Sequence, residues 1–159
     1  MRTFSHRARA IVAVLAASLA LVTVIGPVAG AEPKAQPVTI VSDMAVVGLP
    51  HNLGTFDTVR GPICMLGTVA DTRLVWIVGG PEVNPYVLIV NKTLTCDDGT
   101  GAFFARLLVR GYGGVETFTW VILGGTGRYH DLFGLGGGST VPFEGGGGVT
   151  NTYTGYLFR

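Results

Sequence analysis

The sequence predicts an all-β protein, an eight-stranded antiparallel β-barrel with a signal peptide in front. Three observations lead to this fold. After residue 31, short runs rich in valine, threonine and aromatic residues alternate with Gly, Pro, Asn and Asp, and no helix of useful length is predicted. Only 13% of the residues are charged. Because so few charges could protect the edges of an open sheet, a closed barrel, which has no edges, is favoured over a two-sheet sandwich.

The first element is a secretory signal peptide at residues 1–31. Three arginines lie among the first nine residues, residues 10–25 carry no charge, and Ala29-Gly30-Ala31 offers the small side chains of a cleavage site. The uncharged run is shorter than the roughly 20 residues that span a bilayer. We therefore expect cleavage after Ala31 and a secreted, extracellular protein, with an uncleaved membrane anchor as the alternative.

The charge balance of the remaining chain argues against nucleic-acid binding. Removing three arginines from 11 basic residues, and none from 10 acidic ones, leaves 8 and 10, a net charge of −2. The cations are scattered singly, so they form no basic patch for phosphates. We expect a short leader at 32–37 and one barrel domain at 38–159, without nucleic-acid partners and without membrane contact once the signal is removed.

Eight strands are predicted from composition and turn signals. Strand breakers such as Asn84-Pro85 and Asp97-Asp98-Gly99 separate them, and their spacing suggests an antiparallel meander. The predicted strands are 38–47, 55–60, 63–70, 73–78, 86–95, 102–110, 115–123 and 150–158. Gly136-Gly137-Gly138-Ser139 and residues 145–148 are predicted to form a flexible hairpin or lid.

Both cysteines, Cys64 and Cys96, belong to the exported part. An even number of cysteines in an exported chain indicates a disulfide, since thiols there meet an oxidising compartment. Two buried free thiols are the alternative.

Alternation in strands 102–110 and 115–123 predicts which side chains face the interior. One face of the first strand is wholly apolar, and in the second strand Glu116 shares a face with aromatic residues. Pairing Val109 with Glu116 keeps the apolar faces together and puts Glu116 near a rim of the interior. Pairing Arg110 with Glu116 would instead form a surface ion pair. We prefer the first register.

These faces supply the candidate site residues. Glu116 is the candidate catalytic acid or base, because a carboxyl beside apolar surface can be tuned for proton transfer. Its alternative is a rim glutamate paired with Arg110. The candidate ligand-binding residues are large apolar side chains, each of which core packing would also explain: Phe103, Leu107, Phe118, Trp120 and Tyr153.

The sequence lacks the residues that a nucleotide site, a serine hydrolase site or a metal site would require. A dinucleotide-binding loop would need glycine where His130 stands, and neither Ser42 nor Ser139 lies in a hydrolase motif. After residue 31 the chain has two histidines, which form no zinc motif, and Asp97-Asp98 lacks the rest of a calcium loop, so no metal site is predicted. No cofactor is predicted. His51 and His130 are expected in exposed loops.

The segment Gly124-Gly125-Thr126-Gly127-Arg128-Tyr129 and the following Gly134-Leu135-Gly136 resemble the GGTGxY/F...G signature of allene oxide cyclase-like and dirigent-like proteins. Thr152-Tyr153-Thr154-Gly155 is similar to a late strand of uncharacterised secreted bacterial members. The resemblance implies an eight-stranded antiparallel barrel, often trimeric, that binds or cyclises hydrophobic small molecules. None of the cyclase's catalytic residues can be carried over.

The sequence thus supports three functions. The leading one is a secreted barrel that binds a small hydrophobic molecule without catalysis, and an interior smaller than about 300 Å³ would count against it. The second is an allene oxide cyclase-like cyclase or isomerase with Glu116 as acid or base. The third is an extracellular structural or interaction protein with a filled barrel. A homo-oligomer, a trimer by resemblance, is expected.

Overall fold

The computed structural model describes residues 34–48, 51–80 and 83–159. The predicted signal peptide at 1–31 lies outside these residues. The described chain forms a closed barrel of eight antiparallel strands, which confirms the predicted fold class. The strands are β1 (Gln36–Ala45), β2 (Leu53–Arg60), β3 (Leu66–Val78), β4 (Tyr86–Cys96), β5 (Ala102–Tyr112), β6 (Val115–Gly125), β7 (Phe133–Pro142) and β8 (Gly148–Phe158).

Each strand pairs with the next one along the chain, and β8 returns to pair with β1. This closing ladder is continuous from Gln36 opposite Leu157 to Ala45 opposite Gly148. The barrel therefore has no free edge, as the low charge of the chain led us to expect.

Strand β3 replaces two predicted strands, 63–70 and 73–78. The predicted break between them, at residues 71–72, lies within the strand. Asp71 pairs with Lys92 and Arg73 with Asn91, so Thr72 forms a bulge between them. A bulge changes which residues face inward without ending the strand.

Strand β7 occupies the segment predicted to be a flexible hairpin or lid, and that prediction was wrong for residues 136–139. Gly134, Gly136 and Gly138 lie on the inner wall, directly against aromatic rings of β6. A Cβ atom at Gly136 would lie 2.6 Å from the Trp120 ring. Glycine at these positions therefore leaves room for the aromatic rings of the interior, although a glycine-rich segment is typical of a loop. Residues 143–147 form the turn into β8, as predicted in part.

The ladder between β5 and β6 settles the direction in which Glu116 faces. Val109 lies opposite Phe118, and Gly111 lies opposite Glu116. The preferred pairing was two residues off, but a shift of two residues keeps every side chain on its face. Glu116 is thus on the interior side, whereas Arg110 lies opposite Thr117 on the outer side. The tight connection uses Gly113 and Gly114, both with positive φ.

One end of the barrel is closed by packing. The predicted disulfide between Cys64 and Cys96 is confirmed, and both residues are buried there. The Tyr129 side chain of the glycine-rich motif is 1% exposed, and its hydroxyl accepts a hydrogen bond from the Cys64 amide at 3.0 Å. Its ring packs edge-on against Phe103, 5.6 Å between centroids. The glycine-rich motif on which the family resemblance depends therefore helps to close this end of the barrel.

Candidate functional site

The opposite end of the barrel contains a cavity of about 240 Å³. It lies where β1, β3, β5 and β7 end and the even-numbered strands begin. Most of the apolar part of its wall comes from side chains of six strands: Met44, Leu74, Trp76, Leu88, Val90, Leu107, Val109, Phe118 and Val149. Polar groups occupy three places in this wall.

The first polar group is a buried ion pair between Lys92 and Asp71. The Lys92 Nζ lies 2.5 Å from Asp71 Oδ1, and the two side chains are 5% and 4% exposed. Nζ also contacts Met44 Sδ at 2.9 Å, while the Asn52 amide donates to Asp71 Oδ2 at 2.9 Å. Such pairing is required, because an ion without a partner costs several kcal/mol, on the order of 3 to 5, in a protein interior.

The second polar group joins Tyr86 and Glu116 at the start of β4 and β6. The Tyr86 hydroxyl donates a hydrogen bond to Glu116 Oε2. Burial is the main reason why the pKa of Tyr86 is raised well above its usual value, and the hydrogen bond and negative charge of Glu116 raise it further. Tyr86 is thus held neutral as a donor. Trp76 packs edge-on against its ring at 5.6 Å.

A chain of polar contacts continues from the cavity toward β1. The Thr140 hydroxyl donates to Asn151 Oδ1 at 2.9 Å, and Asn151 Nδ2 lies 3.4 Å from Ser42 Oγ. These contacts satisfy polar groups that would otherwise be buried alone. The buried Tyr153 hydroxyl, in contrast, has no hydrogen bond of normal geometry, and burial raises its pKa, with a smaller opposing effect from Ser42.

The structure brings three of the predicted site residues into the cavity wall. Glu116, Leu107 and Phe118 line it. Phe103, Trp120 and Tyr153 also face inward and are buried, but they do not line the cavity.

Those three residues pack in the filled part of the barrel. Phe103 contacts the rings of Phe56 and Tyr129 near the closed end. Trp120 lies against the glycines of β7 and donates its indole N–H to the Gly137 carbonyl at 3.0 Å. The Tyr153 ring is 4.9 Å from that of Phe118.

Sequence reasoning missed the buried ion pair and the partner of Glu116. Lys92 alternates with Val90 and Leu94, both inward-facing, so the period of β4 could have identified it. Asp71 could not be placed this way, because the bulge at Thr72 breaks the alternation of β3. Tyr86 opens a strand beside a proline, and its proximity to Glu116 depends on the register of three strands.

The remaining polar candidates lie on the surface. His130 pairs with Asp131 at 2.7 Å, with both side chains more than 80% exposed, and His51 is exposed as well. Asp98 accepts hydrogen bonds from the Thr100 amide and hydroxyl within a turn, which lower its pKa. Within the described ranges, no three His, Cys, Asp or Glu residues form a group that could hold a metal ion.

In the part of the chain that the structure covers, no helix is long and apolar enough to cross a membrane. Comparison of the sequence with models of known protein families gives no match, and a search of curated proteins finds no relative either.

Proposed function

We propose that this protein is a secreted barrel that binds a small, mostly apolar molecule in the cavity at its open end. The observation that carries the proposal is the cavity itself. Aromatic and aliphatic side chains form most of its wall, and the polar side chains form three small groups. Ligand sites commonly combine an apolar lining with a few polar groups that orient the ligand.

The cavity volume restricts the ligand. At about 240 Å³ it is smaller than the roughly 300 Å³ set as a lower limit in the sequence analysis, which counts against a ligand of ordinary size and leaves only a smaller one. An engineered cavity of about 150 Å³ holds benzene, so proportional scaling gives about ten non-hydrogen atoms. The proposed ligand is therefore a one-ring or short-chain compound, and a longer molecule would have to extend out of the barrel.

Native mass spectrometry of protein purified from its own culture medium tests the proposal directly. We expect a species heavier than the polypeptide by the mass of a small molecule, which is lost on collisional activation. Determining the N-terminal residue of the same purified protein tests the predicted export, since signal cleavage after Ala31 would leave Glu32 as the first residue.

A pair of tryptophan substitutions tests the location, with 2-phenylethanol as a neutral probe. Val149 lines the cavity, and Val141 is 61% exposed on the outer wall. Val149→Trp should fill the cavity and abolish binding measured by calorimetry, whereas Val141→Trp should leave it unchanged. Equal binding by both variants would contradict a ligand in the barrel, as would a wild-type protein that neither co-purifies with a small molecule nor binds the probe.

A cyclase or isomerase is the second candidate, favoured by the contact between Tyr86 and Glu116. A carboxylate that accepts a hydrogen bond from a neutral phenol, beside an apolar cavity, could exchange a proton with a bound substrate. The reaction class would be a cyclisation or isomerisation of a hydrophobic substrate, which conserves all atoms. Glu116→Gln should then abolish turnover, measured by chiral gas chromatography, without abolishing binding. Turnover that survives this substitution would eliminate Glu116 as the acid or base.

An interaction role, including the homo-oligomer that the resemblance implies, is the third candidate. The outer wall near the closed end supports it, because exposed apolar side chains there are neighbours across strands. Leu123 lies opposite Phe133, and Leu135 lies opposite Tyr156. Analytical ultracentrifugation should detect a trimer, and Leu135→Lys should dissociate it. A monomeric wild-type protein would contradict this candidate.

A further inference from the structure

The negative and positive charges of the ionisable groups in the cavity wall do not cancel. Its wall contains two carboxylates, Asp71 and Glu116, and one cation, Lys92. Lys92 is paired with Asp71. Among the described residues, no lysine, arginine or histidine forms an ion pair with Glu116. The formal charge of the cavity is therefore −1, located at Glu116.

The position of Lys92 prevents it from offsetting this charge. Its Nζ atom contacts Asp71 Oδ1 and Met44 Sδ, and its side chain is 5% exposed. An incoming anion would have to compete with Asp71 for the ammonium group while also facing Glu116. The electrostatics of the cavity thus disfavour an anionic ligand.

The aromatic side chains favour a cation in the same region. Trp76, Tyr86 and Phe118 all line the cavity with Glu116. Aromatic faces attract cations through the negative potential above the ring, and tryptophan is the strongest of the three. Tyr86 is held neutral and donates a hydrogen bond to Glu116 Oε2, and no other described residue donates one to Glu116 Oε1.

We propose that the ligand carries a cationic amine on a small apolar body, with the ammonium group against Glu116 and the body among Leu107, Val109 and Phe118. This inference rests on the proposed binding function and assigns its chemical class. An ammonium group supplies the missing positive charge and can donate a hydrogen bond to the carboxylate, while its apolar body covers the aliphatic wall.

Three probes of similar size and different charge test the inference: 2-phenylethylamine, 2-phenylethanol and phenylacetate. Binding is measured by isothermal titration calorimetry at neutral pH and low salt. We expect the amine to bind about tenfold more tightly than the alcohol, and phenylacetate to bind more weakly than either.

Two substitutions separate the role of Glu116 from net charge. Glu116→Gln should reduce the affinity for the amine to within roughly threefold of that for the alcohol, while the alcohol affinity stays the same. Asp43→Asn removes the same charge from an exposed outer-wall residue, and it should preserve the preference for the amine. Circular dichroism establishes that both variants are folded.

The outcomes distinguish the two proposals. Equal affinities for the amine and the alcohol would overturn the amine inference and leave the binding function standing. Tightest binding of phenylacetate would overturn it in favour of Lys92 as an anion site. If Asp43→Asn lowers the amine preference as much as Glu116→Gln does, the effect is one of net charge and the inference is wrong. If no probe binds, the binding function fails together with it.

Discussion

The two ends of the barrel use their inward-facing side chains differently. At the closed end, Phe103 packs edge-on against both Phe56 and Tyr129, and these buried rings lie on the same side of the barrel as the Cys64–Cys96 disulfide. At the open end, the same kind of strand encloses a cavity with charged groups in its wall. The comparison teaches that one end stabilises the cylinder, so that the other end can tolerate a cavity and buried ions.

The largest expected effect concerns the buried ion pair of the open end. Lys92→Ala leaves Asp71 without its cation, and we expect the free energy of unfolding to fall by about 3 to 5 kcal/mol, measured by urea denaturation. The double variant Lys92→Met with Asp71→Asn removes both charges and should recover much of this loss. A loss under about 1 kcal/mol in the single variant would show that solvent already screens the pair.

The disulfide of the closed end should have an effect of similar size. Replacing Cys64 and Cys96 by serine releases a loop whose ends are 32 residues apart in sequence. The chain-entropy relation gives a loss of about 3 to 4 kcal/mol in unfolding free energy. Because the disulfide is distant from the cavity, binding of 2-phenylethanol to the folded variant should be unchanged, and a large loss of affinity would show that the two ends are coupled.

The glycine wall of β7 offers a sharper test of packing. Gly136→Ala places a methyl group against both the Thr154 carbonyl oxygen and the Trp120 ring, and Gly137→Ala places one on the outer face, where the nearest atom is 3.5 Å away. We expect the first substitution to cost about 1 to 3 kcal/mol of stability, and the second to have almost no effect. Similar melting temperatures for both variants would contradict the tight contact with Trp120.

The smallest effect is the dependence of stability on alkaline pH. The pKa values of Tyr86 and Tyr153 are raised in the folded protein above the usual 10.0, so each tyrosine keeps its proton longer when folded than when unfolded. Their stabilising contribution is complete below pH 10 and decreases as the pH rises further. Tyr86→Phe should make the decline between pH 9 and 11 less steep in urea titrations, and an unchanged slope would rule out its contribution.

The sequence predicted the barrel better than its individual strands. Alternation in β5 and β6 was readable because most of their inward positions carry an apolar or aromatic side chain, with Glu116 as an exception. The predicted number of eight strands was correct because two errors cancelled. The prediction divided β3 into two strands at Asp71, which added one, and interpreted β7 as a loop, which removed one. Both errors have physical causes, since a bulge and an inward-facing row of glycines have the composition of turns.

The candidate site was less accessible to sequence reasoning. Glu116, Leu107 and Phe118 could be placed on the inner face because they lie on regular strands in which apolar and aromatic residues alternate with other residues. The ion pair depends on residues 21 positions apart, Asp71 and Lys92, and the Tyr86–Glu116 contact on residues 30 apart. No local pattern fixes which inward-facing side chains meet, because that depends on the stagger of all eight strands around the barrel.

The ladder between β1 and β8 has a consequence for how the protein must be made. Gln36 and Leu157 belong to the two strands that seal the cylinder, and every strand between them must be in place before they can join. Long-range closure of this kind is slow, because chain entropy is lost before the final contacts form. A chain that emerges from its N-terminus therefore exposes one unpaired edge of β1 until β8 arrives, and an unpaired strand edge of this kind favours aggregation.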